Sequence, residues 1–279
     1  MIVSEKTAEV RELLDGHRGA GRRIAMVGTS GGTHEGHLSL VRRAKRDCDV
    51  VAVFWNGALR LEWAPGAVQR YTRDLERDAA LLEAAGADLL YVPLRHDLYE
   101  RPSVTFVEMP AMAAHLAGMP EGATMNILVT MVLTLLNIAG PCTTYFGEKD
   151  WQQLVMFQRM AEDLRLPSRV LACPTVREPD GLALSSRNRN LSGEERRQAL
   201  VLSRALRAVE KQVRGGKQDS VTLLAEALRI LQEEPAVQVD YCRIVDPDTL
   251  EDVPDVRHGA LVAVAARVGT TRLIDNLLV

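Results

Sequence analysis

The fold-deciding stretch is Ile24-Ala25-Met26-Val27 followed by Gly28-Thr29-Ser30-Gly31-Gly32-Thr33-His34-Glu35-Gly36-His37-Leu38. Four consecutive apolar residues predict a strand that is covered on both faces, as in a parallel sheet. The glycine-rich segment then leads into a helix from about Leu38. Glycines let a backbone approach a phosphate, and a helix N-terminus offers free N–H groups and the positive end of its dipole. The stretch therefore predicts an anion site beyond a parallel strand.

Two imidazoles, His34 and His37, lie on either side of Gly36 in this turn. Both can donate hydrogen bonds to phosphate oxygens. Zinc is the alternative ligand for a His-x-x-His pair, but a zinc site needs further ligands and the sequence suggests none nearby. The spacing also differs from the His-Glu-x-x-His helix of metalloproteases. We therefore predict a phosphate site here and no protein-held metal.

Short apolar runs and helical segments alternate from Ile24 to about Val176. The strand candidates after the first are Val50 to Phe54, Leu89 to Val92, Val104 to Val107, Thr143 to Phe146 and Arg169 to Cys173. Helices are predicted near Arg70 to Ala85, over the apolar stretch Ile127 to Ala139, and from Asp150 to Leu164. This βαβ alternation is typical of a doubly wound, Rossmann-like α/β sheet, in which ligands bind beyond the carboxyl ends of the strands.

The pattern changes after Val176. Ser192-Gly193-Glu194-Glu195 has the spacing of a capping box and predicts a long helix that ends near Gly215-Gly216. A second helix, Val221 to Glu233, and strands over Val237 to Val245 and Leu261 to Val264 follow. We therefore predict a Rossmann-like domain over residues 1–175 and a smaller C-terminal α+β lid domain over residues 176–279.

Composition narrows the class of partner. With Lys+Arg 34 against Asp+Glu 37, the net charge is −3, which gives no reason to expect nucleic acid or an anionic membrane. The most apolar stretch is too short and too often interrupted by polar residues to cross a bilayer. The N-terminal residues Met-Ile-Val-Ser-Glu-Lys carry no apolar leader segment. We therefore expect a cytoplasmic protein that acts on small molecules.

Four separated motifs resemble one family. They are His34-Glu35-Gly36-His37-Leu38-Ser39-Leu40-Val41, Phe146-Gly147-Glu148-Lys149-Asp150-Trp151-Gln152-Gln153, Asp180-Gly181-Leu182-Ala183-Leu184-Ser185-Ser186-Arg187-Asn188 and Arg272-Leu273-Ile274-Asp275-Asn276. Together they resemble the pantothenate synthetases (pantoate-β-alanine ligases), which belong to the superfamily with the His-x-Gly-His signature. The resemblance covers nearly the whole chain and implies a homodimer.

The resemblance implies acyl-adenylate chemistry with ATP and Mg²⁺. A carboxylate attacks the α-phosphorus of ATP, so charge builds on phosphate oxygens and donors must already be in place. The resemblance assigns phosphate contacts to the catalytic residues His34, His37, Lys149, Ser185, Ser186 and Arg187. It places five further residues around the nucleotide: Gly36, Gly147, Asp150, Val176 and Leu184. Asp150 could equally serve as the N-cap of the helix that follows it.

The residues that correspond to the acid-binding positions of the family depart from the family pattern. The family turn usually reads Pro-Thr-Met-Gly, so Ser30 stands where a methionine is usual. A pantoate-binding glutamine is replaced by Leu59, and a His-Phe-Arg-Gly-Val segment aligns with Thr124 to Leu128. The residues that the resemblance places at the acid and amine substrates are Ser30, Asn56, Leu59, Asn126 and Gln153. Replacing a buried amide by Leu weakens binding of a hydroxy acid, so we expect an altered acid pocket.

We therefore predict an ATP-dependent, AMP-forming ligase that joins a carboxylic acid to an amine, with an acid pocket different from that of the family. Three alternatives stay open. The chain could be an ordinary pantoate-β-alanine ligase, a catalytically inactive nucleotide-binding module, or an adenylyltransferase that forms no amide. A binding module would retain ATP without producing AMP.

Overall fold

The computed structural model describes residues 1–56, 74–98, 103–116 and 118–279. The chain forms two compact units. Unit 1 comprises Met1–Ala113, Pro120–Gly147 and Met156–Cys173, and unit 2 comprises Ala114–Met119, Glu148–Val155 and Pro174–Val279. The sequence-based domain boundary at Val176 stays a prediction.

Unit 1 is built on a six-stranded parallel sheet. Its strands are β1 (Ile2–Ser4), β2 (Ile24–Thr29), β3 (Val50–Trp55), β4 (Leu89–Tyr91), β5 (Thr143–Gly147) and β6 (Arg169–Cys173), in the order β1-β4-β3-β2-β5-β6. The chain order reverses between β2 and β5, which makes their carboxyl ends the switch point where ligands of doubly wound sheets bind. The predicted parallel α/β sheet is confirmed. The glycine-rich turn follows β2 directly.

Helices cover this sheet because the strands are apolar on both faces; all six residues of β3 are buried. The helices in this part of the chain are α1 (Thr7–Gly19), α2 (Glu35–Asp47), α3 (Leu75–Ala84), α4 (Arg95–Leu98), α5 (Pro110–Ala113), α6 (Gly118–Ala139) and α7 (Trp151–Asp163). Within the described ranges, no helix has the length and apolar character that a membrane span requires.

The predicted strand over Val104 to Val107 is wrong. These residues form no strand, and the side chains of Val104 and Phe106 are 90% and 54% exposed. Side chains of α6 bind this segment instead: Val107 N donates to Thr130 Oγ1 at 2.9 Å, and Met109 N donates to Asn126 Oδ1 at 3.0 Å. The backbone of this apolar segment is therefore hydrogen-bonded to polar side chains of α6 rather than to a neighbouring strand.

Unit 2 contains an antiparallel sheet and two long helices. They are α8 (Gly193–Arg214), α9 (Ser220–Leu231), β7 (Val237–Val245), β8 (Leu261–Val268) and β9 (Thr271–Leu278), with β8 between the other two strands. Leu202, Val209 and Val264 lie in the shared core. The predicted C-terminal α+β fold is confirmed, and β9 adds a third strand that carries the Arg-Leu-Ile-Asp-Asn motif.

Candidate active site

The two histidines form the start of α2. His34 is the N-cap, and its Nδ1 accepts a hydrogen bond from Gly36 N at 3.1 Å. His37 Nδ1 accepts from His34 N at 3.3 Å, and the two rings stack with centroids 4.0 Å apart. A nitrogen that accepts a hydrogen bond must hold a lone pair, so each neutral imidazole carries its proton on Nε2. The capping geometry thus makes Nε2–H the donor of both side chains.

The backbone N–H groups of the turn bond inside the protein. Gly31 N donates to Thr29 Oγ1 at 3.2 Å, whereas Gly32 N and Thr33 N each donate to Asp78 at 2.9 Å. His34 N and Gly36 N bind the imidazoles. The expectation of free N–H groups at this turn is therefore wrong for these residues. The histidine side chains, rather than these backbone groups, are therefore the candidate donors of this turn.

Asp78 of α3 is a functional candidate that the sequence reasoning missed. Its side chain is fully buried, and Trp55 Nε1 also donates to its Oδ2 at 2.9 Å. Trp55 in turn restricts the turn, because a Cβ at Gly31 would lie 3.1 Å from its ring and Gly31 has φ +89°. The available signal was an acidic residue four positions before the buried Leu82, on the apolar face of a helix.

The predicted acid-side residues of unit 1 lie in different surroundings. The register pairs Thr29 with Trp55, so Ser30 and Asn56 follow adjacent strand ends. Ser30 is exposed, whereas Asn56 is buried and its Oδ1 has no hydrogen-bond partner among the described residues. Asn126 uses its Oδ1 to bind the backbone of Met109. Leu59 lies outside the described residues.

In unit 2, Lys149 lies in a single 3-10 turn, Glu148–Asp150. Asn276 Nδ2 donates to the carbonyl oxygens of both Glu148 and Lys149 at 2.9 Å. Lys149 Nζ lies 3.5 Å from Asp150 Oδ1. Burial raises the pKa of Glu148 above its ordinary value. Asn276 is thus the side chain that fixes the backbone of the Gly-Glu-Lys-Asp motif, a role that the sequence reasoning did not assign.

An ion pair with a buried carboxylate supports Asn276. Arg177 donates to both oxygens of Asp275, at 2.7 and 2.9 Å, and Asp275 Oδ1 accepts from Asn276 N at 2.8 Å. The hydrogen bonds to this carboxylate raise the pKa of Arg177. Arg177 also donates to Gly181 O at 3.2 Å. Two-point pairing of a guanidinium with a carboxylate fixes orientation as well as distance. The pair therefore sets the position of β9 relative to the loop that starts at Pro174.

That loop carries the predicted serines and Arg187. Leu184 N donates to Val176 O at 2.9 Å. Ser185 Oγ accepts from Arg187 N at 3.2 Å and begins the 3-10 turn Ser186–Asn190. Arg187 donates to Arg272 O at 3.1 Å. These bonds hold the Ser-Ser-Arg segment against β9.

One pocket of unit 2 brings several predicted residues together. Its lining includes the side chains or backbone of Lys149, Ser185, Arg187, Arg272 and Asp275. Three cationic residues and one carboxylate that is already paired give the pocket a positive character suited to an anion. Asp150, Gln153 and Ser186 do not line it, and Gln153 lies partly buried at the start of α7. Gly147 ends β5.

Within the part of the chain that the structure describes, no group of three or more His, Cys, Asp and Glu side chains could hold a metal ion.

The chain is similar to known proteins in both sequence and fold. The sequence model of the pantoate-beta-alanine ligase family matches residues 2–278. This chain belongs to that family. It is 58% identical to pantothenate synthetase 1 of Frankia alni, over 99% of this chain and 98% of the relative.

Solved structures agree with this assignment. Pantothenate synthetase from Thermus thermophilus is 40% identical, with a TM-score of 0.89 over 99% of both chains. Pantoate-beta-alanine ligase from Francisella tularensis, solved in complex with beta-gamma ATP and beta-alanine, is 27% identical, with a TM-score of 0.77 over 100% of this chain and 97% of that one. The predicted class of enzyme, an ATP-dependent, AMP-forming carboxylate-amine ligase, is confirmed.

Proposed function

We propose that this chain condenses pantoate with β-alanine at the expense of ATP, yielding pantothenate, AMP and pyrophosphate. The observation that carries the proposal is the stacked histidine pair, whose two Nδ1 atoms accept backbone hydrogen bonds and whose Nε2–H groups are the donors. The whole-chain family match supports the choice of acid and amine. The homodimer and the cytoplasmic location stay predictions.

In the first step, a pantoate carboxylate oxygen bonds to the α-phosphorus of ATP, and the bond from that phosphorus to the bridging oxygen of pyrophosphate breaks. Negative charge grows on the phosphate oxygens, and preorganised donors stabilise it without reorganising. In this proposal, His34 and His37 donate from Nε2, while Lys149 and Arg187 supply positive charge. Ser185 and Ser186 add hydroxyl donors. Mg²⁺ accompanies ATP on its phosphates, as is usual for nucleotide sites.

In the second step, the neutral amine of β-alanine attacks the acyl carbon of the adenylate. The carbon–oxygen bond to AMP breaks, AMP leaves with the electron pair, and the amine nitrogen gives one proton to solvent water as the amide forms. Asn56 is our candidate for the acid side, because its buried Oδ1 has no hydrogen-bond partner among the described residues and can accept from a substrate hydroxyl.

One sequence observation favours a second candidate function, in which a less polar acid replaces pantoate. Leu59 stands where the family places a pantoate-binding glutamine, and Asn126 lies in a segment that differs from the family pattern. The comparisons support pantoate over this alternative, because whole-length relatives at 58% and 46% identity are named pantothenate synthetases. We therefore retain the altered pocket only as the second candidate.

The reaction is tested by product analysis with ATP, Mg²⁺, pantoate and β-alanine. We expect AMP and pyrophosphate in equal amounts with pantothenate. Release of ADP and phosphate would contradict the proposal, because those products indicate an acyl-phosphate route. Retention of ATP without any AMP in the presence of both substrates would instead support an inactive binding module.

The acid is tested by kcat/KM for pantoate in the natural chain and in Leu59→Gln, next to a panel of less polar acids. If pantoate is the natural acid, it should exceed every other acid with the unmodified chain, and Leu59→Gln should change its kcat/KM little. If the acid pocket is altered, Leu59→Gln should raise kcat/KM for pantoate. The gain should correspond to about 1 to 3 kcal/mol of transition-state binding, the scale of satisfying a buried polar group.

A further inference from the structure

A carboxylate is fully buried behind the histidine turn and faces hydrogen-bond donors of unit 1. Asp78 Oδ1 accepts from Thr33 N and Oδ2 accepts from Gly32 N, both at 2.9 Å. Trp55 Nε1 donates to Oδ2, and Arg77 lies 3.5 Å from Oδ1. The two turn N–H groups belong to consecutive peptides, the second of which is one residue before His34. One rigid side chain thus fixes two successive peptide planes.

Stability alone is a poor explanation for this arrangement. Removing a carboxylate from water is costly, and well-packed apolar residues at such a position are often equally or more stabilising. The site also directs the turn N–H groups into the protein, away from any phosphate. A protein that used this turn only as a backbone phosphate cradle would leave those groups available. The arrangement instead fits a turn whose shape must be fixed for the side chains that follow it.

We propose that Asp78 is the positioning residue for the histidine pair. By binding Gly32 N and Thr33 N, it holds the peptides before His34 so that both imidazoles accept backbone hydrogen bonds at Nδ1 and keep their protons on Nε2. The inference rests on the proposed function for its kinetic consequence, because the reaction needs two aligned Nε2–H donors. Its structural consequence, the tautomer of both rings, is independent of the substrate.

Asp78→Asn is the discriminating variant, because it keeps the size of the side chain but provides a single oxygen. The amide NH₂ must then face at least one turn N–H group, which disrupts the two-point grip. Leu82→Ala is the matched control, since Leu82 is fully buried on the same helix, one turn away, and no hydrogen bond of the turn depends on its side chain. Both variants alter a fully buried side chain of α3, but only Asp78→Asn changes the hydrogen bonds of the turn.

Two measurements are made on the full-length chain: kcat and KM for pantoate-dependent pyrophosphate release, and imidazole ¹⁵N chemical shifts of His34 and His37. We expect Asp78→Asn to lower kcat about 10- to 100-fold, the range for a displaced catalytic group, with a smaller change in the KM for ATP. The imidazole shifts should move from the Nε2–H pattern towards a mixture of tautomers. Leu82→Ala should retain the kcat and the shifts of the natural chain.

Natural kcat and natural imidazole shifts in folded Asp78→Asn would overturn the proposal, as would an equal loss of kcat in Leu82→Ala. If Asp78→Asn does not fold, Asp78→Glu replaces it. That variant keeps the charge but moves the oxygens by one methylene, and natural kcat and shifts there would equally overturn the inference. If the natural chain releases no pyrophosphate, the proposed function fails, while the imidazole shifts still decide the role of Asp78.

Discussion

The helices α2 and α8 both begin with two side chains, three residues apart, that accept hydrogen bonds from backbone N–H groups at the start of the helix. In α8, Ser192 Oγ accepts from Glu195 N at 3.2 Å and Glu195 Oε2 accepts from Ser192 N at 2.8 Å. In α2, His34 and His37 occupy the same two positions, three residues apart. His37 Nδ1 accepts from His34 N, and His34 Nδ1 accepts from Gly36 N, one residue earlier than the corresponding donor in α8. Both helix starts are thus capped from both directions.

The two pairs differ in what they add beyond capping. Ser and Glu are among the best residues for this arrangement, whereas imidazole is not a favoured N-cap. A carboxylate or hydroxyl would therefore cap α2 at least as well. What the imidazoles add is a second ring nitrogen that carries a proton, at a helix that follows the carboxyl end of β2. We infer that the Ser192–Glu195 pair of α8 serves only to cap its helix, whereas the His34–His37 pair of α2 both caps its helix and supplies hydrogen-bond donors.

Replacing the capping pair of α2 by that of α8 should have the largest effect on activity. The double variant His34→Ser with His37→Glu places the α8 pair on α2, so the helix start stays capped while both Nε2–H donors are lost. We expect pyrophosphate release to fall about 10³-fold or more, because removal of one preorganised donor already costs about 10²-fold. Urea unfolding should show a free energy of unfolding equal to or above that of the natural chain.

The matched control for this exchange is His17→Ser, which alters a histidine of α1 that pairs with Arg22 rather than with the turn. It should leave pyrophosphate release unchanged. An active double variant would show that the imidazoles serve only as caps. A clearly unstable one would show that the capping geometries are not interchangeable.

The next test separates donors in the two units. His37→Ala and Lys149→Ala each remove one group that we propose faces phosphate, so each should slow adenylate formation by about 10²-fold. Circular dichroism should show both variants folded, and Lys217→Ala, an exposed lysine beyond α8, should be fully active. Near-natural single-turnover rates in either variant would remove that residue from the reaction.

Removing the side chain that supports Lys149 should lower activity less than removing Lys149 itself. Asn276→Ala removes both hydrogen bonds to the Glu148 and Lys149 carbonyl oxygens, so these part-buried acceptors lose their side-chain donor. We expect a loss of about 1 to 3 kcal/mol in the free energy of unfolding. Activity should fall about tenfold, at the lower end of the range for groups that orient catalytic residues. Asn190→Ala, an exposed asparagine, is the control; equal effects in both variants would contradict the role of Asn276.

Sequence predicted the parallel sheet because its strands are continuous apolar runs. It missed β1, which has only three residues, two of them about half exposed, and it misread Val104 to Val107, whose backbone binds helix side chains. Local patterns cannot show such tertiary partners.

For the candidate site, too, the sequence predicted some residues and missed others. The motifs suggested His34, His37 and Lys149, but not the residues that hold them. Asp78 binds a turn 46 residues earlier, and Arg177 pairs with Asp275 98 residues later. The motif around Asp275 does not say which residue its carboxylate binds, and the position of Asp78 on the apolar face of α3 does not say which turn it holds, because the role of a buried charge is recognised only once its partner is known.

The smallest effect is expected for a change in the cap of α8. Ser192→Ala removes the hydroxyl that accepts from Glu195 N, so unit 2 should lose about 1 kcal/mol of stability, the usual cost of an N-cap serine. Pyrophosphate release should be unchanged, because no proposed role of Ser192 goes beyond capping. Urea unfolding and the kinetic assay are run on one preparation, with the exposed Lys217→Ala variant as the reference. A loss of activity larger than the loss of stability would mean that the start of α8 contributes to the reaction, and the contrast with α2 would then fail.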